Sequence, residues 1–104
     1  MAKQNSPQLR WILEPQEKSG TYRFDGRFVV TRGIQEYLTP AEINWMFWTI
    51  RMLSEQESGL DYLQVFTHRE SGQKLFFIDQ LNDEMKKEIA EEHNICTLML
   101  AQEY

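Results

Sequence analysis

The sequence predicts an α+β domain, an antiparallel sheet with two helices in β-α-β-β-α-β order, preceded by an extra N-terminal strand. Three observations carry this. "TYRFDGRFVVT" (21–31) alternates apolar and polar residues around Asp25-Gly26. "LTPAEINWMFWTIRML" (38–53) begins with a complete helix-start signature. "LDYLQVFTH" (60–68) and "KLFFID" (74–79) are β-rich runs joined by the glycine-containing "RESGQ".

Residues 1–20 form an N-terminal extension, and residues 21–104 form a single domain. Pro7, Pro15, Ser19 and Gly20 punctuate the extension, and "LRWIL" (9–13) is an apolar island suited to docking. Asp25-Gly26 is a candidate type I′ turn, because both central positions of that turn need φ > 0. A hairpin of 21–24 with 27–32 follows, with Gly33 ending its second strand. Thr39 is the predicted N-cap, Pro40 the first helical residue and Glu42 the capping-box partner, for a helix over 40–54. In "NDEMKKEIAEEHN" (82–94), Asn82 caps, acids occupy the first turn, and Leu81, Met85 and Ile89 recur every four residues. Asn94 closes that helix, and "ICTLMLA" (95–101) is the last strand. The order is shared by the split-βαβ, ferredoxin-like arrangement and by other α+β meanders.

A chain of 104 residues supports one modest core. No apolar run approaches the roughly 20 residues needed to span a bilayer. "MAKQNSPQLR" lacks the apolar stretch of a secretory leader. Cys96, the one cysteine, can close no internal disulfide, so the expected compartment is the reducing cytoplasm. The net charge of −5 is uneven: residues 1–52 carry seven Lys/Arg against five Asp/Glu, residues 53–104 four against eleven. Such a field repels phosphate, so no direct nucleic-acid binding is expected. It suits a protein partner with a basic surface, or simply solubility.

The first long helix has two apolar stripes. Ile43, Met46, Phe47, Ile50 and Leu53 recur with core spacing, and Ala41, Trp45, Trp48 and Met52 lie opposite them. The second stripe needs a cover, from the "LRWIL" island, a partner or a second copy of the chain. Its narrowness and lack of a flanking basic face argue against a membrane surface. Both faces of the sheet are partly apolar too: Tyr62 and Phe66 oppose Leu63 and Val65, and Phe76 and Ile78 oppose Leu75 and Phe77.

Signals for chemistry are sparse. His93 and Cys96 are three residues apart, with no further ligand set nearby in sequence, so neither a metal nor another cofactor is expected. Cys96 lies in an apolar strand and is expected in the core rather than as a nucleophile. "TRG" (31–33) is followed by no phosphate-cradling loop. A small ligand or catalytic site around Arg32 and His68 is the weakest reading, and no catalytic residue is expected.

The segments "RFVVTRGIQEYLTPAEINWMFWTIRML" and "LDYLQVF" resemble a small family of Gram-positive bacterial proteins that has no assigned activity. The resemblance covers about residues 27–78, with "TRGIQ" and "DYLQVF" as its markers. It implies a mobile-element or phage context, in which compact acidic proteins often inhibit host defence nucleases, including as anti-CRISPR proteins. The expected function is therefore a non-enzymatic, protein-binding inhibitor. In its most concrete form it binds an RNA-guided CRISPR effector nuclease and blocks guide RNA loading or DNA access. Trp45, Trp48 and Met52 would anchor the partner, and Glu55, Glu57, Asp61, Asp83, Glu84, Glu88, Glu91 and Glu92 would steer it. The alternative is a housekeeping domain that forms a homodimer through the Trp-rich helix.

Overall fold

The computed structural model describes residues 7–104, so the first six residues of the predicted extension lie outside the described residues. The fold is α+β, a five-stranded mixed sheet with helices. Helix α1 (Pro7–Arg10) leads into strand β1 (Trp11–Leu13). Strand β2 (Arg27–Val30), helix α2 (Arg32–Tyr37) and the long helix α3 (Pro40–Glu57) follow. Strands β3 (Leu63–His68) and β4 (Lys74–Asp79), the short helix α4 (Asp83–Lys86) and strand β5 (Ile95–Leu100) complete the sheet. The strand order is β1-β3-β4-β5-β2.

The predicted 21–24/27–32 hairpin does not form. The extra N-terminal strand is instead β1, drawn from the "LRWIL" island and paired antiparallel with β3, Ile12 opposite Thr67. Trp11 is buried in the core, so the extension contributes structure to the domain. Segment 21–24 crosses to the end of α3, where Tyr22 and Leu60 exchange both backbone hydrogen bonds, at 2.9 and 2.7 Å. The positive φ falls at Phe24 (50°), one residue before the predicted turn. Burial decides this: the Phe24 ring enters the core against Phe77 at 5.4 Å, and its N–H donates to Asp79. Gly26 serves close approach, since a Cβ there would collide with the Asn94 carbonyl.

Strand β2 then pairs parallel with β5, with Val29 opposite Thr97, while the other three pairings are antiparallel. The sheet is therefore mixed, and β2 sits at its edge. A ferredoxin-like sheet would place this strand inside, so that topology is not the one adopted.

Helix α3 follows its sequence signature at the start and runs three residues past the predicted end. The Thr39 hydroxyl accepts from the Glu42 N–H, and the Glu42 carboxylate accepts from the Thr39 N–H, a full capping box with Pro40 at the start. Ser58, left-handed at φ 57°, caps the far end. Gly59 follows at φ 121° against the Thr21 backbone, a conformation that suits glycine. Two elements depart from expectation. "TRGIQEY" holds a helix, α2, started by Thr31, whose side chain accepts from the Ile34 N–H. The helix expected over 82–94 shrinks to α4 and a 3₁₀ turn at Glu91–His93, because Met85 and Ile89 find no surface to bury against and stay exposed.

The core lies between α3 and one sheet face. Met46 and Ile50 are fully buried there with Phe66, Leu75, Phe77, Cys96 and Leu98. Phe47 stacks on Phe77 at 5.5 Å, and Phe28 meets both rings edge-on near 5 Å. Ile43, Phe47 and Leu53 pack half-buried around this centre, as the core stripe predicted.

Candidate partner-binding surface

The second stripe of α3 divides. Trp45 is half-buried and turns onto Phe66, ring centroids 5.7 Å apart, so it is mainly a packing residue. Trp48 faces away from the sheet and is 61% exposed, and Met52, one turn on, is 39% exposed. The "LRWIL" island leaves them uncovered because Trp11 is drawn to the sheet edge. There its indole N–H donates to Glu42 at 2.8 Å, and its ring meets Tyr37 and His68 edge-on. An exposed Trp-Met pair in the middle of a helix is the kind of apolar spot that marks interaction sites.

The acidic residues fall into two groups at one end of the molecule. Glu55 and Glu57 are exposed on the last turns of α3, beyond Met52. Asp83, Glu84, Glu88, Glu91 and Glu92 are exposed on the β4–β5 connection. The two groups meet along segment 22–25: Tyr22 bridges to Leu60 just past α3, while Arg23 pairs with Asp83 at 3.0 Å and Asp25 with Lys86. Asp83 and Glu84, which pairs with Lys87 at 3.6 Å, are thus partly neutralised. Glu88 and Glu91 enter no ion pair among the described residues. Asp61, next to Leu60, is half-buried, and its carboxylate accepts from the Tyr62 N–H.

The remaining candidates have structural work. His68 accepts from the Glu70 and Ser71 N–H groups at 3.2 and 3.1 Å, closing the β3–β4 turn. Arg32 starts α2 beyond β2, three strand positions from β3, about 14 Å at normal strand spacing. The fold does not assemble an Arg32–His68 site. Cys96 is fully buried, and burial, followed by the Asp79 carboxylate, pushes its thiol up to about 12. The native protein is therefore expected to react negligibly with a thiol reagent at pH 8 and fully once unfolded, as read by absorbance.

On the sheet face away from α3, Leu63, Val65, Phe76 and Met99 stay half-buried, and the Tyr104 ring leans on Phe76 at 5.5 Å. Residues 14–18 run beside this face and leave a cavity of about 520 Å³ over Leu63, Val65 and Phe76. Gln16 fixes that segment by accepting from the Asp61 N–H and the Gln64 amide, each at 3.0 Å. Sequence reasoning missed Glu42 and Gln16 as ties for the extension; the capping box was visible, but its second oxygen's partner was not. No helix among the described residues is long and apolar enough to cross a membrane. Comparison with protein-family models, curated proteins and solved structures found no match.

Proposed function

We propose that this chain is a non-enzymatic protein-binding inhibitor that docks through Trp48 and Met52 of α3 onto a partner with a basic surface. The observation that carries this reading is Trp48, 61% exposed in mid-helix beside Met52 and followed by Glu55 and Glu57 on the same helix. A buried tryptophan anchor ringed by polar contacts is a frequent arrangement of binding hot spots. Glu88, Glu91 and Glu92 at the same end add long-range attraction, which acts mainly on the association rate. The most specific form of the reading makes the partner an RNA-guided CRISPR nuclease whose basic nucleic-acid channel is occluded. That form rests on the family resemblance.

Mixing the purified protein with such a nuclease, with and without guide RNA, tests it by size exclusion and DNA cleavage. Co-elution with lost cleavage is expected, and separate elution with full cleavage overturns the nuclease form. Trp48→Ala should weaken binding by about 2 kcal/mol, roughly thirtyfold. The same substitution should leave stability within about 0.5 kcal/mol by urea unfolding, because the side chain is mostly in solvent. Reversing charge at Glu88, Glu91 and Glu92 should slow association and flatten its salt dependence in stopped flow.

A further inference from the structure

We propose that the free edge of β2 is a self-complementary interface, on which a second copy of this chain pairs antiparallel about a twofold axis at Val29 to continue the sheet. The alternation of hydrogen bonds along β2 fixes which backbone groups are available. Arg27 N–H donates to Asn94 O at 2.9 Å and Thr31 N–H to Leu98 O at 3.1 Å, so the odd residues face β5. Phe28 and Val30 therefore turn their N–H and C=O groups outward, and among the described residues no backbone partner meets them. An antiparallel neighbour bonds through residues of this outward set. Centring the axis on Val29 pairs Phe28 with Val30 of the second copy, and Val30 with its Phe28.

Charge selects a second copy over an unrelated strand. The N-terminal end of β2 borders a cavity of about 600 Å³ lined by Asp25, Gly26, Arg27, Glu91, Glu92 and Asn94. The C-terminal end of β2 leads to Arg32, whose side chain is 90% exposed and forms a surface pair with Glu36 at 3.3 Å. Antiparallel pairing brings the Arg32 of each copy to the Gly26 end of the other. Its guanidinium then meets Glu91 and Glu92. Such surface pairs are worth little in isolation, so exchanging Glu36 for two carboxylates costs little. Outward N–H and C=O groups on an edge strand are a template for pairing, and a closed twofold dimer satisfies them.

The axis places the two Val29 residues as a non-hydrogen-bonded pair, Cα atoms about 4.5 Å apart, within disulfide range. A Val29→Cys protein should form a covalent dimer under mild copper–phenanthroline oxidation, while Met52→Cys on α3 should not; buried Cys96 stays out of both reactions. Val30→Pro removes an outward N–H and no ladder bond, so it should leave a folded monomer by sedimentation velocity. Arg32→Glu should weaken the wild-type dimer on the order of tenfold. A wild-type chain that stays monomeric up to about 1 mM overturns the proposal. So does a cross-link at residue 52 in place of 29, which would move the self-interface to the Trp48 helix.

Discussion

Glu42→Ala is expected to lower the unfolding free energy by about 3 kcal/mol, measured by urea denaturation at pH 7. One carboxylate here joins three parts of the fold. Its Oε1 accepts from the Thr39 N–H at 2.9 Å and the Thr39 hydroxyl at 3.1 Å, closing the start of α3. Its Oε2 accepts from the Trp11 indole at 2.8 Å and pairs with Arg10 at 3.2 Å, tying the edge strand β1 to the helix layer. Losing the cap costs about 1 kcal/mol, and leaving the buried Trp11 N–H without an acceptor costs about 1–3 more. The midpoint of thermal unfolding should fall by about 12–24 °C for a domain of this size. Proteolysis should first cut between residues 14 and 20, as β1 leaves the sheet. Cuts appearing elsewhere first would mean that Glu42 stabilises α3 alone.

The same carboxylate gives a signed pH dependence. Burial alone would raise its pKa. The hydrogen bonds from the Thr39 backbone and Trp11, the Arg10 charge and the Thr39 hydroxyl outweigh burial and hold it below the ordinary value of 4.5. A carboxyl with a depressed folded pKa contributes stability that is present above its unfolded value and is lost as pH falls through the folded one. The difference between wild type and Glu42→Gln should therefore be constant above about pH 5.5 and shrink below about pH 4.5. A difference that grows on acidification would mean that burial dominates.

The fold class was legible because local signals agreed with tertiary packing where they were strongest. Thr39-Pro40-x-Glu42 marked the start of α3, and β-rich runs either side of a glycine-containing loop marked β3 and β4. The topology was less legible, because Asp25-Gly26 satisfies both a hairpin turn and a close crossing. The decision between them lay in Phe24 and Asp79, 55 residues apart in sequence. Periodicity misled over 82–94, where a regular apolar repeat has no facing surface to bury against. The wheel separated the core stripe of α3 from its opposite side but could not tell Trp45 from Trp48. That distinction comes from Phe66, which offers Trp45 a ring to pack on and leaves Trp48 in solvent.

Asp79→Ala should cost about 3–5 kcal/mol. Asp79 is fully buried at the end of β4 and holds the crossing segment in place. One oxygen accepts from the Phe24 N–H at 2.9 Å, the other from the Leu81 N–H at 3.2 Å. Losing the first bond frees the Phe24 N–H at a left-handed φ of 50° and loosens the seat of its ring beside Phe77. Burial raises the Asp79 pKa more than the Leu81 and Phe24 hydrogen bonds and Lys86 lower it, so the net shift is upward. The sign is thus opposite to that of Glu42. The charged form is penalised in the folded protein, so as pH falls through the raised folded value toward the unfolded one, the penalty fades and wild type gains stability. Asp79→Asn keeps the volume and one acceptor but turns an NH₂ toward the other N–H. It should cost about 1–3 kcal/mol at pH 7. As pH falls through the raised folded value toward the unfolded one, the gap between wild type and Asp79→Asn should widen as the wild-type carboxyl takes up its proton, while the gap to Glu42→Gln narrows on acidification. Urea unfolding of both variants from pH 7 to pH 4 separates the two terms; parallel curves for the pair would overturn the assignment of opposite signs.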